Sequence, residues 1–291
     1  MRTIKFSIVI PCFNEESSIL ETVQQIHDLI ADWPDCEIIV VNDGSTDTTT
    51  EKLASASAEY GNLTVINEPN NRGYGASLKD GIQEAKGEYI AITDADGSYP
   101  NEKLEEMFAT IADSKADMVV GARTADDVVY SKLRSIPKYF FRKYCSWIAN
   151  YDIPDINSGL RVFKRAVYSN YVNIIPDGFS FTTTVTLAFL TNNHKVIYLP
   201  IGYKDRAGKS KIRPIRDTLM FVQLIVRTGM YFAPLKVFLP IALTGFAGGA
   251  MSFLYDLIYL DNLTDKTVIL LMFSLNFGMF ALLADMIDKR R

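Results

Sequence analysis

Histidine is almost absent from this chain of 291 residues: His27 and His194 are the only two. A zinc centre built on imidazoles is therefore not expected. Three cysteines, Cys12, Cys36 and Cys145, have no metal-type spacing and leave an odd count, which fits a reducing cytoplasm better than a disulfide framework. Positive charge is not in excess either. With 30 basic and 34 acidic side chains the net charge is -4, so nucleic acid is not expected as a partner. A cleavable leader is not read at the start, because Pro11 interrupts the first apolar run and Asn14-Glu15-Glu16 stands where small residues would be needed.

What the chain does have is apolar length in one place. Its mean hydropathy of +0.07 is high for a sequence with 22% charged residues. Val237 to Tyr255 and Thr267 to Ala284 carry no charge, and each is long enough to cross ~30 Å of hydrocarbon as a helix. Gly245, Gly248, Gly249 and Gly278 suit close helix packing in lipid. The expectation is a transmembrane hairpin over 232–291, with spans at about 237–258 and 267–284. Arg227 and Lys236 before it and Lys289, Arg290 and Arg291 after it place both termini in the cytoplasm by the positive-inside rule. In a bacterium the membrane would be the inner one. Upstream, Arg216, Asp217, Gln223 and Arg227 alternate with Leu219, Met220, Val222, Leu224, Ile225 and Val226, so 212–231 reads as an amphipathic helix lying on the bilayer surface.

Residues 1–211 read as a separate cytoplasmic α/β domain. Short β-branched runs (Phe6 to Ile10, Glu37 to Val41, Thr64 to Ile66, Tyr89 to Thr93, Met118 to Val120) alternate with amphipathic stretches at about 17–31, 48–60, 76–85 and 102–112. That alternation predicts a mostly parallel, Rossmann-like sheet with helices on both faces. Further on, Pro137 to Asn150 reads as an aromatic-rich helix and Asp155 to Arg165 as a loop entering a strand. Ligands of such sheets bind beyond the carboxyl ends of the strands, and polar residues cluster there.

Asp94-Ala95-Asp96 is the sharpest of these clusters. If the strand stays extended, both carboxylates face one crevice, and two hard oxygen donors without histidine suit Mg²⁺ or Mn²⁺. Asp43 ends the second strand, where it would accept hydrogen bonds from a base or ribose or else cap the next helix. Arg72-Gly73-Tyr74-Gly75 offers glycines that let backbone approach a phosphate at a helix start. The turn after the first strand lacks the glycines of a dinucleotide site, which argues against NAD. Arg123, Arg134, Arg161, Arg206, Lys209 and Lys211 form a cationic set ahead of the membrane segments, suited to a phosphate presented from lipid.

The ordered set IVIPCFNEE, VVNDGSTD, NRGYGASLKDG, ITDADGSYP, VVGAR, DINSGLRVFKR and RAGKSKIRP resembles family-2 glycosyltransferases, in particular dolichol-phosphate mannose synthase and bacterial polyprenyl-phosphate glycosyltransferases. The resemblance covers residues 4 to 215. It implies a GT-A fold, a nucleotide-sugar donor (GDP-mannose or UDP-glucose), a divalent metal and a polyprenyl or dolichyl phosphate acceptor. By it Pro11, Phe13, Glu15, Val41 and Asp43 would hold the nucleoside, Asp94, Ala95 and Asp96 the diphosphate through metal, and Arg123, Arg206 and Lys211 phosphates, with Gly73 beside the donor. Arg134, Arg161 and Lys209 are assigned to the acceptor phosphate. Ser98 stands where a metal-holding glutamine is frequent, and its hydroxyl or a water would take the third ligand position.

The expected reaction is inverting hexose transfer to a phosphate that needs no strong base. Asp155 is then optional as a base and would orient Arg161 or the donor sugar. A sugar or glycolipid hydroxyl as acceptor is the alternative, and it would make Asp155 essential. A non-catalytic membrane scaffold of the same fold is the reading from another class, and a homo-oligomer is compatible with all of these.

Overall fold

The computed structural model describes residues 5–33, 35–124, 132–178, 180–204 and 214–288, with the side chains of 132–138 and 214–221 outside that description. Two compact units are present: Met1–Ser146 with Tyr151–Ser210, and Trp147–Asn150 with Lys211–Arg291.

The first unit is built on a seven-stranded sheet. Its strands are β1 (Phe6–Cys12), β2 (Cys36–Asp43), β3 (Leu63–Glu68), β4 (Tyr89–Ile92), β5 (Met118–Ala122), β6 (Arg161–Lys164) and β7 (Val196–Pro200). Their spatial order is β3-β2-β1-β4-β6-β5-β7. Every residue of β1 is buried, as a strand covered on both faces requires. Pro11 is tolerated because Val9 accepts from Thr93 on the β4 side and the β1–β4 ladder ends there, so the missing N–H two residues on faces no partner strand.

Helices α1 (Ile19–Leu29), α2 (Thr49–Glu59), α3 (Tyr74–Glu84) and α4 (Lys103–Ser114) connect the first five strands. Ile19, Val23, Ile26 and the following Ile30 keep helical spacing and are buried, so α1 lays one apolar stripe on the sheet. Gly81 in α3 sits against Val9 and Val41, and this brings the helix backbone directly onto β1 and β2.

Later elements are α5 (Lys132–Ala149), α6 (Arg165–Ser169) and α7 (Phe181–Thr191). β6 runs antiparallel to both β4 and β5, a reversal that β/α alternation does not announce. It has a positional consequence. A reversed strand begins where its parallel neighbours end, so the 155–160 loop that feeds β6 arrives at the carboxyl ends of β4 and β5.

The second unit contains α8 (Pro214–Phe232), α9 (Pro234–Tyr255), which runs on through a π turn (Asp256–Leu260), and α10 (Asp265–Asp288). Val222, Val226 and Met230 form an exposed apolar row along α8. Stretches 234–260 and 265–287 are apolar and long enough to cross a membrane, and only 11% and 17% of their most apolar windows are buried. Their surface therefore faces outward, unlike that of a core helix in a water-soluble protein. Gly245 lies against Ser274 and Gly249 against Leu271, so the small residues are spent on packing the hairpin together. The turn is stapled by Asp256, whose Oδ2 accepts from the Thr264 amide (2.9 Å) and from the hydroxyls of Thr264 and Thr267.

Candidate active site

The site lies where the strand order reverses. β1 stands between β2 and β4, and the loops leaving β1 and β4 part on either side of the crevice. The β1–α1 loop is tied to the β2–α2 loop: Asn14 N–H donates to Ser45 Oγ (2.9 Å), Asn14 Oδ1 accepts from Thr46 N–H (2.7 Å), and Glu15 N–H donates to Thr49 Oγ1 (3.1 Å). Asn14 has φ 55, a left-handed conformation that asparagine tolerates. These ties hold the exposed ring of Phe13 and the half-buried Glu15 at the rim. Pro11 and Val41 are different. They pair across β1 and β2 inside the sheet, and Val41 is fully buried beneath α3, so it is corrected from a nucleoside contact to a core residue.

Asp43 is buried and its two oxygens accept from the amides of Arg72 and Gly73, each at 2.8 Å. It therefore shapes the entrance to α3, and a nucleoside contact would use its remaining lone pairs. The glycines here do not do what their spacing suggested. A Cβ on Gly73 would lie 3.0 Å from the Asp177 carbonyl oxygen and one on Gly75 2.7 Å from the Asp177 carbonyl carbon, while Ala76 N–H donates to that same carbonyl (3.0 Å). Gly73 and Gly75 make room for the 176–178 segment, and the amides of Gly73 and Ala76 already have acceptors, Asp43 Oδ2 and the Asp177 carbonyl. A phosphate seat at Gly73 is corrected accordingly.

β4 ends at Ile92, and Asp94-Ala95-Asp96 forms a turn where an extended strand was expected. The two carboxylates are placed by separate supports. Asp94 accepts from the Tyr74 hydroxyl (3.1 Å) and lies against Gly159, where a Cβ would be 3.0 Å from its oxygens. Burial first, then the charge of Asp94, pushes the Tyr74 hydroxyl well above its usual pKa and keeps it a donor. Ala95 is buried, and its carbonyl accepts from Thr22 on α1 (3.1 Å). Asp96 accepts at Oδ1 from the Ser98 amide (3.0 Å) and hydroxyl. Ser98 thus anchors Asp96, its buried hydroxyl being directed at the carboxylate. An open cleft of about 830 Å³ adjoins Asp96, with Tyr99, Tyr203 and Lys204 in its wall.

Among the described residues no three His, Cys, Asp or Glu side chains assemble as a metal site. Two carboxylates at the crevice remain a fitting donor set for a hard divalent ion that takes its other oxygens from a diphosphate and water.

The loop before β6 completes the site. Gly159 N–H donates to the Tyr99 hydroxyl (2.7 Å), and Asp155 grips Arg123 through Nε–Oδ2 (2.7 Å) and Nη2–Oδ1 (2.9 Å). The Arg123 guanidinium also stands 5.2 Å over the Tyr203 ring. Burial alone would raise the Asp155 carboxyl pKa, but the hydrogen bonds and charge of Arg123 outweigh it and hold it below the usual carboxylate range. Asp155 therefore orients Arg123, not Arg161.

Arg161 is a correction. It lies in β6, fully buried, donating to the carbonyls of Ser158 and Thr182 and to Thr186 Oγ1, and it presents no surface to an acceptor phosphate. Burial lowers its pKa from the usual guanidinium value. Arg206, Lys209 and Lys211 lie outside the described residues, as does the side chain of Arg134. Tyr74, Tyr99, Tyr203 and Gly159 are site residues that the pattern reading missed. Tyr74 lies within a motif notable for its glycines, Gly159 meets Tyr99 through the loop that feeds the reversed β6, and Tyr203 follows β7, which runs parallel to β5.

The pattern of glycosyl transferase family 2 matches residues 7–172, and that of the GtrB C-terminal hairpin matches 233–289. A low-salt glycan biosynthesis hexosyltransferase of Haloferax volcanii is 25% identical over 224 residues, 76% of this chain and 52% of that one. A dolichyl-phosphate beta-glucosyltransferase of Trichomonas vaginalis is 27% identical over 256 residues, covering 81% and 76%. For the dolichol-phosphate mannosyltransferase of Pyrococcus furiosus the identity is 28%, over 72% of this chain and 60% of that protein. The chain thus spans about half the length of the first of these relatives and more of the others. Glucosyl-3-phosphoglycerate synthase from Mycobacterium tuberculosis, solved with Mn²⁺, UDP and glucosyl-3-phosphoglycerate, shares the fold at a TM-score of 0.58 and 17% identity, covering 77% of this chain and 78% of that one.

Proposed function

The chain belongs to glycosyl transferase family 2 and is a glycosyltransferase with a GT-A-like domain, and from that premise we propose that it transfers a hexose from a nucleotide sugar, GDP-mannose or UDP-glucose, to a polyprenyl or dolichyl phosphate with inversion at the anomeric carbon. The observation that carries this reading is the state of Asp155. A hydroxyl acceptor needs a general base, and the candidate base is a buried carboxylate bound in two places by Arg123 with a depressed pKa. A phosphate acceptor is already anionic near neutral pH and needs a cation instead, which Arg123 supplies.

Asp94 and Asp96 would hold Mg²⁺ or Mn²⁺, which neutralises charge on the leaving diphosphate when bound. Tyr74 and Ser98 fix the two carboxylates, so little reorganisation is needed as the donor seats. Asp155 aims the Arg123 fork, and Phe13, Glu15 and Asp43 border the nucleoside end of the crevice. The hairpin and α8 would bring a lipid-borne acceptor to the domain, with both termini on the cytoplasmic side. The printed names of two relatives, a dolichyl-phosphate glucosyltransferase and a dolichol-phosphate mannosyltransferase, support the acceptor class.

Membranes holding the protein, incubated with labelled GDP-mannose or UDP-glucose, Mn²⁺ or Mg²⁺ and polyprenyl phosphate, should move label into organic-extractable lipid. No transfer from any donor refutes the reading. Transfer that survives Asp96→Ala refutes the metal assignment alone, and label in a glycan but not in lipid phosphate favours a hydroxyl acceptor.

A further inference from the structure

A guanidinium gripped only along its edge is held incompletely. The two Asp155 oxygens meet Arg123 Nε and Nη2 as a fork, which fixes the direction of the cation within their shared plane. Such a pair still hinges out of that plane, because N–H···O bonds weaken steeply only when bent below ~120°. Motion of that kind is limited by whatever covers the face of the guanidinium, and the ring of Tyr203 lies there. Arg123 Cζ stands 5.2 Å from the ring centroid, inside the ~6 Å over which an aromatic face attracts a cation.

The ring is itself fixed from three sides, none of which involves the guanidinium. Before it, Ile201 N–H donates to the carbonyl of Ala122 (2.7 Å), the residue that precedes Arg123. After it, Lys204 N–H donates to the Ser98 carbonyl (3.1 Å). Beside it, Tyr99 packs edge-on, with ring centroids 5.2 Å apart and planes at 67°. Tyr99 is buried, and its hydroxyl accepts from Gly159 N–H, so this wall is firm. Ser98 has two tasks. Its amide and hydroxyl anchor Asp96 while its carbonyl holds the strand-end segment that carries Tyr203, so one short turn supports both the carboxylate and the platform. All of these residues belong to the first unit.

We propose that Tyr203 is a positioning residue for transfer: its ring holds the Arg123 guanidinium in the plane that Asp155 defines, so that the cation meets the acceptor phosphate in one orientation. Arginine suits the arrangement because its planar group lies on an aromatic face while its edge donates. A side chain already ordered loses little further freedom when the phosphate arrives. The proposal rests on the reading of Arg123 as the cation for an acceptor phosphate.

Tyr203→Leu removes the aromatic face and keeps apolar bulk, whereas Tyr203→Phe keeps the face and removes the hydroxyl. Full-length protein in proteoliposomes is assayed for label transfer to polyprenyl phosphate. Tyr203→Leu should raise the KM for that lipid about 5-fold, ~1 kcal/mol at ~1.4 kcal/mol per decade, with kcat and the nucleotide-sugar KM changed less than about twofold. Tyr203→Phe should bring the lipid-phosphate KM back to within about twofold of wild type. A second reading needs no activity. In protein with isotope-labelled arginine, the Arg123 Nε–H resonance, identified by its loss in Arg123→Lys, should move downfield in Tyr203→Leu, where no ring shields it, and stay in place in Tyr203→Phe. If Tyr203→Leu does not fold, Tyr203→Met, whose flexible chain fills the same space, takes its place in both measurements. An unchanged lipid-phosphate KM, a rise shared by Tyr203→Phe or by both substrates, or an unmoved resonance overturns the proposal and leaves the proposed reaction standing. If wild type transfers nothing to polyprenyl phosphate, the proposed reaction fails and the proposal with it.

Discussion

Replacing Asp155 separates an orienting role from a catalytic one. The Arg123–Asp155 pair is mostly buried, with side-chain exposures of 17% and 10%. Asp155→Ala leaves the guanidinium without its counter-charge, a loss of about 3–5 kcal/mol for a buried pair. For a domain of ~200 residues each kcal/mol moves the melting temperature by ~2–4 °C, so a fall of roughly 6–20 °C is expected. Asp155→Asn keeps the shape and one acceptor oxygen and should cost less, about 1–3 kcal/mol. Its effect on transfer should be a raised KM for the lipid phosphate with kcat reduced less than ~100-fold, the smallest loss expected from removing a general base. The assay is label transfer to polyprenyl phosphate in proteoliposomes, beside a thermal melt of the same preparation. A kcat loss of 100-fold or more with KM and melting temperature unchanged would refute the reasoning and make Asp155 the base of a hydroxyl acceptor. Acid supplies a second check. Because the folded-state carboxyl pKa is depressed, the pair adds its full stability above the ordinary aspartate value of ~3.9 and loses it as pH falls through the lower folded value. The melting gap between wild type and Asp155→Ala should therefore close below that range.

Tyr74→Phe removes the hydroxyl that holds Asp94 and should weaken Mn²⁺ binding by about 10-fold in an electron paramagnetic resonance titration, with a small change in melting temperature. Gly75→Ala puts a methyl against the Asp177 carbonyl and should cost about 1–3 kcal/mol, visible as a lower denaturant midpoint. Arg161→Ala empties a buried site that holds three oxygen acceptors, the Ser158 and Thr182 carbonyls and the Thr186 hydroxyl; it should lower stability by several kcal/mol (~3–5) while leaving the lipid-phosphate KM of the folded fraction unchanged. A selective rise in that KM would restore Arg161 to the acceptor site.

The strands and the apolar hairpin were readable in the sequence because each depends on local pattern. Runs such as Ser7 to Ile10 and Ile38 to Val41 can be satisfied only in a covered sheet, and two long uncharged runs at the end of the chain match the span of a bilayer. The position of Asp94 and Asp96 at the carboxyl end of a strand was readable for the same reason. Their mutual geometry was not, because a turn replaces the extended chain and each carboxylate takes its support from residues far along the sequence, Tyr74 and Gly159 for Asp94.

What the sequence determined by itself is therefore the α/β alternation, the apolar C-terminal pair and the inventory of acidic, basic and glycine residues at strand ends. Only the tertiary structure decided what those residues face. Arg161 and Arg123 are the same residue type near the same loop, yet one is sealed in β6 beneath α7 and the other stands over Tyr203 in the grip of Asp155. Composition cannot distinguish them. The difference follows from the antiparallel insertion of β6 between β4 and β5, a pairing choice set by the hydrogen bonds of distant strands, which carries the 155–160 loop to the crevice.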